Sequence, residues 1–466
     1  MSQNAPRPFI ITTSLAKPDR AAMRDARSYA MRGKNSGKRR KRIYKDQPIR
    51  SWVDDQLANE ESQDMQLVSP VPNQVNRQIA SEWTILNVAE DIGPHPRQML
   101  DQYFSILEET SYANKILARN VFNRQAPLWM EHLGQSATYL NNQLFVLIAY
   151  YDLIIARTLA IRQSTISHMT RALSLLQTDL RTSTRAISEA TISTIIAFAM
   201  VAFMSGDTAS AEKHLQGLVK VVALRGGLRS LRSCRYLQTK CCRLDLSFAM
   251  CTSSTPLFFT AGNISWTSYL PRTIPVQSTT AIHRLLSDSG IAPDTNMLAV
   301  YSDLQEFSRA ANLAAQTGRK LEPDLLQDVM ISIQYRLLHL KYENSDPHEL
   351  LRVIMLDYSA TVLLLLFCQF GAYVWLNFPS LQVCLRIHVQ TGSSNERSRV
   401  WLWLLVVVGL SQLDCDMKDL ESYLACTVRD LGLKSWKDVL VVLKSFLWID
   451  VLHSERGKAL LTDIVN

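Results

Sequence analysis

Residues 205–228 read SGDTASAEKHLQGLVKVVALRGGL, and this stretch decides the fold class. Gly206-Asp207 makes a turn, after which Leu215, Leu218, Val219 and Val222 recur at spacings of three and four. That period places them on one stripe of an α-helix rather than on one face of a strand. Gly226-Gly227 then ends the stripe, because glycine adopts the positive φ angles of a helix stop without steric cost. The same periodicity begins near residue 97, with Met99, Leu100, Tyr103, Phe104 and Leu107, and runs to the C-terminus. Two further starts are legible. Asp346-Pro347 offers a capping side chain with proline at the first helical position. Ser435-x-x-Asp438 has the form of a capping box ahead of Val439, Leu440, Leu443, Phe446 and Leu447. Glycine is scarce, at 16 of 466 residues, which disfavours sandwiches, barrels and glycine-looped nucleotide folds. The expected fold is all-α, a large helical body behind a disordered basic N-terminal arm.

Charge divides the chain. The first 50 residues hold fourteen basic and three acidic side chains, a formal charge of +11, whereas residues 51–466 hold 36 basic and 39 acidic. The arm, residues 1–50, peaks at Lys38, Arg39, Arg40, Lys41 and Arg42, with Lys34 just before them. A block of this kind is drawn to polyanions or to a nuclear-import receptor. Residues 51–96, acidic at first and then punctuated by Pro70, Pro72, Pro94 and Pro96, read as a linker, and residues 97–466 as the body. The segment 252–280, with Pro256, Gly262, Pro271 and Pro275, is the longest irregular connection expected inside the body and a candidate divide between two lobes.

Motifs that would signal chemistry are missing. Gly33-Lys34-Asn35-Ser36-Gly37-Lys38 approximates a phosphate loop, but its glycines stand one residue too close and Arg39 occupies the place of the magnesium-binding hydroxyl. Asp54-Asp55 sits in linker-like sequence. No His-Glu-x-x-His or Gly-x-Ser-x-Gly pattern occurs, and His168 and His214 read as packed or partly exposed histidines. The eight cysteines, from Cys234 to Cys426, contain no Cys-x2-Cys pair, and Cys241-Cys242 read as two small core residues of one helix. No catalytic, cofactor-binding or metal-ligating residue is therefore assigned. Val362 to Leu376 is apolar except for Gln369, but it falls short of the roughly 18 to 20 residues that span a bilayer. Tyr373, Trp375 and Phe378, with Trp401 and Trp403, could line an apolar pocket, although core packing is the plainer reading.

Several stretches taken in order resemble the fungal-specific transcription factor domain, the helical regulatory region of binuclear zinc-cluster regulators. They are Glu212-Lys213-His214-Leu215-x-Gly217-Leu218, Leu224-Arg225-Gly226-Gly227-Leu228 with Leu231, Leu237-Gln238-x-Lys240 and Arg243-x-Asp245. Looser matches follow in Glu396-Arg397-x-Arg399-x-Trp401-x-Trp403-Leu404 and in Leu431-Gly432-x-x-Ser435-Trp436 with Phe446-x-Trp448. Phe9-Ile10, Thr12-Thr13 and Arg27 to Lys34 look like the basic leader of members without a zinc cluster. The resemblance implies that a helix closes on Arg225, Gly226, Gly227 and Leu228 and that a second helix packs against it. Such regulators bind DNA through six N-terminal cysteines, whereas the first cysteine here is Cys234. The family's zinc-dependent DNA binding therefore does not carry over.

The resemblance implies a nuclear transcription-regulator-like protein without enzymatic activity or cofactor, acting through partner or effector binding. Lys34, Lys38, Arg39, Arg40, Lys41 and Arg42 would serve as a nuclear-localisation signal or contact phosphates. The expected partners are a nuclear-import receptor, DNA contacted non-specifically, and a DNA-binding transcription factor, with no membrane. A helical enzyme or small-molecule binder of secondary metabolism is the alternative, and a membrane-associated protein the third reading.

Overall fold

The computed structural model describes residues 136–155, 163–259, 264–270, 292–343, 346–367, 395–411 and 418–465. Among these residues 79% are helical and no sheet is present, so the fold is all-α as the periodicity predicts. The basic arm, the linker and Tyr373 to Phe378 lie outside the described residues, as does most of the apolar run from Val362.

Among the described residues thirteen α-helices follow in chain order: α1 Ala137–Tyr150, α2 Gln163–Leu180, α3 Ser183–Ala186, α4 Glu189–Met204, α5 Thr208–Arg225, α6 Arg235–Thr252, α7 Thr295–Thr317, α8 Pro323–His339, α9 Pro347–Phe367, α10 Asn395–Ser411, α11 Lys418–Asp430, α12 Trp436–Leu443 and α13 Asp450–Leu461. A π-turn, Tyr151–Ile155, extends α1, and a 3-10 helix, Leu228–Cys234, joins α5 to α6.

Local sequence sets the helix ends. Ser136, Ser188 and Asp207 start α1, α4 and α5 by accepting backbone N–H bonds from Tyr139, Thr191 and Ser210. Asp346 does the same for His348 at 2.8 Å, one residue into α9. At α12, Ser435 Oγ accepts from the Asp438 N–H, while the Asp438 carboxylate reaches back to accept from the Lys434 N–H and the Ser435 hydroxyl. Gly226 (φ 109°) and Gly318 (φ 67°) close α5 and α7 in the left-handed region.

Buried apolar side chains form two contiguous clusters. The first is built from α1, α2, α4, α5 and α6, with Leu215, Leu218 and Val222 of the opening stripe at its centre. Val219 of that stripe is half-buried, and Val221 and Ala211 are buried beside it. The second cluster is built from α7 to α13 and encloses Trp403, fully buried, whose Nε1–H donates to the Leu447 carbonyl at 3.0 Å while its ring stacks on Phe446. Trp401 and Trp403 are thus core residues. Helix α8 serves both clusters: Ile331 and Tyr335 face the first, and Val329, Met330, Ile333 and Leu337 face the second. One helix cannot alternate between two cores unless both faces are apolar, which is the composition of α8.

Two glycines report opposite packing. A Cβ on Gly409 would lie 2.6 Å from a Leu460 methyl and 3.1 Å from one of Leu420, so α10 meets α13 and α11 closely at that point. A Cβ on Gly217 would meet nothing within 4 Å. Gly409→Val should destabilise the protein by about 1–3 kcal/mol through overpacking. Gly217→Ala should stabilise it by about 0.5–1 kcal/mol through the higher helix propensity of alanine. Urea denaturation of the two variants checks both signs.

Candidate functional site

Where the two cores meet, three buried carboxylates on three helices hold the irregular stretch that follows α6. Asp245 of α6 accepts from the backbone N–H groups of Leu257 (2.8 Å) and Phe258 (3.0 Å) and from the Tyr335 hydroxyl (2.8 Å). Asp303 of α7 accepts from the N–H groups of Tyr269 (2.9 Å) and Leu270 (3.1 Å), from the Ser268 hydroxyl, and from Arg336 Nη2 at 2.5 Å. Asp328 of α8 accepts from Arg235 Nη2 at 2.7 Å and from the Tyr269 hydroxyl at 3.4 Å. A chain segment outside helix or sheet leaves its backbone donors without regular partners, and burying them unpaired is costly. These carboxylates supply the missing acceptors.

The electrostatics follow from burial. Arg336 and Asp303 are fully enclosed and compensate each other, since neither charge has access to water. Burial pushes the Asp328 carboxyl up to about 6 despite the adjacent Arg235 guanidinium. Burial also raises Asp245, with the Leu257 and Phe258 N–H groups and Tyr335 pulling the other way. The oxygens of Asp245 and Asp303 are engaged by the fold itself, so the arrangement is suited to locking a connection between helices. It is poorly suited to accepting a substrate proton.

The Arg225, Gly226, Gly227, Leu228 turn feeds into this network. Gly227 N–H bonds back to the Val222 carbonyl at 2.8 Å, and Arg225 reaches α4, donating to the Ile187 carbonyl (2.6 Å) and to Glu189 (3.2 Å). Leu228 is buried, and its carbonyl accepts from Gln238 Nε2 at 3.0 Å. Arg235 then bridges Gln238 and Asp328, at 2.8 and 2.7 Å. The turn, the start of α6 and α8 are thereby linked by a continuous run of hydrogen bonds. α5 closes on this turn and α6 packs against α5.

Other residues singled out from sequence take structural places. Cys241 and Cys242 are fully buried on α6, and burial raises both thiols, so neither is poised to react. His214 is half-buried and stacked on Phe198. His168 is half-buried on α2. Lys34, Lys38, Arg39, Arg40, Lys41 and Arg42 lie outside the described residues. Among the described residues no three His, Cys, Asp or Glu side chains converge as a metal site, and no helix is long and apolar enough to cross a membrane.

Asp303, Asp328, Arg336 and Tyr335 escape sequence reasoning. For the three charged residues the one signal was a charge inside an apolar stripe, such as Asp303 between Val300, Leu304 and Phe307. A second enclosed group was equally hidden. His453 of α13 accepts the Ile449 N–H at Nδ1 (3.1 Å) and donates from Nε2 to Thr361 Oγ1 (3.0 Å). Thr361 in turn donates to the Tyr358 carbonyl, and this arrangement requires the neutral ring.

Comparison with protein-family models, with curated proteins and with solved structures finds no match.

Two predictions test the electrostatics. Asp303→Ala leaves Arg336 buried without its counter-ion and should cost about 3–5 kcal/mol in urea denaturation. His453 is depressed to about 3 by burial, with Arg456 adding to the effect, against 6.5 when unfolded. Its contribution to stability is therefore complete above pH 6.5 and is lost as pH falls toward 3, because the unfolded chain takes up the proton first. The stability gap between the unaltered protein and His453→Gln should narrow by about 2 kcal/mol between pH 6.5 and pH 5. Asp328, raised to about 6, acts in the opposite sense but is common to both proteins and cancels in the comparison.

Proposed function

We propose that this chain is a fungal transcription-regulator-like protein whose helical body works by binding a partner or an effector. The observation that supports this reading most is the Arg225-Gly226-Gly227-Leu228 turn. It closes α5, docks Arg225 on the start of α4 and is bonded through Leu228 to α6, and the resemblance implies a helix that closes on such a turn with a second helix packed against it. An all-helical body is the fold expected of such a regulatory region.

In this reading DNA specificity comes from a DNA-binding transcription factor, since the six-cysteine zinc cluster is absent from residues 1–466. Lys34, Lys38, Arg39, Arg40, Lys41 and Arg42 engage a nuclear-import receptor, and the site of action is the nucleus. The arm adds salt-sensitive phosphate contacts without reading bases.

Fusing the full chain to a heterologous DNA-binding module upstream of a reporter in a filamentous fungus tests the reading. Reporter output should change about five-fold or more in either direction, and alanine at residues 38 to 42 should move the tagged protein out of the nucleus. A fusion that is expressed, nuclear and without effect on the reporter would overturn it.

A further inference from the structure

The starts of α7 and α9 meet at a histidine that uses both ring nitrogens. Asp294 caps α7: its Oδ1 accepts the N–H groups of Asn296 (2.7 Å) and Met297 (3.2 Å), and its Oδ2 accepts the Tyr342 hydroxyl at 2.9 Å. The backbone N–H of the same residue donates to His348 Nε2 at 3.2 Å. His348 lies in the first turn of α9, 4% exposed, with Nδ1 2.8 Å from Asp346 Oδ1 and its ring stacked on Tyr342 at 5.1 Å between centroids.

These contacts fix the state of the ring. A backbone N–H can only donate, so Nε2 presents its lone pair, and the ring proton sits on Nδ1 and is donated to the Asp346 carboxylate. A second proton has one place to go, Nε2, and there it sets N–H against N–H at the head of α7. Asp346 accepts from Nδ1 in either state and is the counter-ion of the imidazolium, so the Asp294 N–H is the group that must yield. Among the described residues the other ionisable side chains nearby are Glu349 and Arg352 of α9, which pair with each other, and Lys341 and Glu343 beside Tyr342, which are exposed.

We propose that His348 is an acid-sensitive catch between α7 and α9: the neutral ring holds the backbone of Asp294, and protonation at Nε2 releases it while Asp346 keeps the ring in place. Histidine is the side chain whose charge ordinarily changes between about pH 5 and 8, which makes it the residue type for such a device. The capping bonds of Asp294 Oδ1 belong to α7 itself, so release uncouples the head of α7 from α9 without unwinding the helix. Further along α7, Asp303 is anchored by Arg336, which confines the change to the first turn. The catch is independent of the transcription reading and stands or falls without it.

The experiment is NMR of the full chain, isotope-labelled at its histidine rings and backbone amides, from about pH 7.5 to about pH 5. His348→Gln, neutral throughout, identifies the His348 signal by its loss. Protection of the Asp294 amide against hydrogen exchange, corrected for the intrinsic effect of pH on exchange, should fall about five-fold or more as His348 takes up its proton, the scale of one hydrogen bond. Protection of Val300, in the middle of α7, should hold. In His348→Gln the protection of Asp294 should be the same at both ends of the range. Asp328, pushed up to about 6 by burial, titrates in the same window but is retained in that variant, so a pH effect that persists there overturns the proposal. So does a His348 signal that stays neutral throughout, an Asp294 amide whose protection does not follow the His348 titration, or a Val300 amide that opens together with it. Asp346→Asn removes the counter-ion and should displace the loss of protection toward lower pH. That shift is one a merely structural hydrogen bond would not give, and it decides the matter where His348→Gln does not fold.

Discussion

The ion pair between Arg336 and Asp303 is the constraint on which the two halves of the body depend. Both side chains are withdrawn from water, so each is tolerable only in the presence of the other. Asp303 uses its remaining lone pairs on the backbone of Tyr269 and Leu270, and Arg336 sits on the helix that packs both cores. Forming the pair therefore fixes three things at once: the approach of α8 to α7, the path of the chain at 268–270, and the junction of the clusters. A hydrophobic pair of equal volume could fill the same space, but it could not accept the two N–H groups of an irregular backbone.

The same logic recurs at Asp245 and Asp328, which gives the junction its character. Cores built only of leucine and valine pack in many nearly equivalent ways, whereas a buried carboxylate has few satisfactory geometries. Here three of them are spent on the stretch after α6, and two guanidinium groups, Arg235 and Arg336, stand against them. The hydrogen bonds running from the Arg225-Gly226-Gly227-Leu228 turn through Gln238 and Arg235 to Asp328 reach the second cluster at α8. A helix stop in one core is thereby bonded to a helix that also serves the other.

The buried titratable groups are held by the fold. The enclosed thiols and histidine are placed where burial suppresses their charged forms, and the carboxylates of Asp245 and Asp303 are engaged in structure.

Sequence alone determined the all-helical class, the stripe Leu215, Leu218 and Val222, the starts at Asp207, Asp346 and Ser435, and the stop at Gly226-Gly227. Each of these rests on interactions within a few residues, so spacing is enough to reveal them. The core places of Cys241-Cys242 and Trp403 follow from residue type and periodicity in the same way. Only the tertiary structure decided that α8 serves two cores, that Arg235 turns inward to Asp328 while Arg232 is exposed, and that Asp303 meets Arg336. Those partners are 33 to 93 residues apart in the chain. A charge within an apolar stripe announces that it needs a partner, but nothing local says which, because the choice is made by the packing that brings distant helices together.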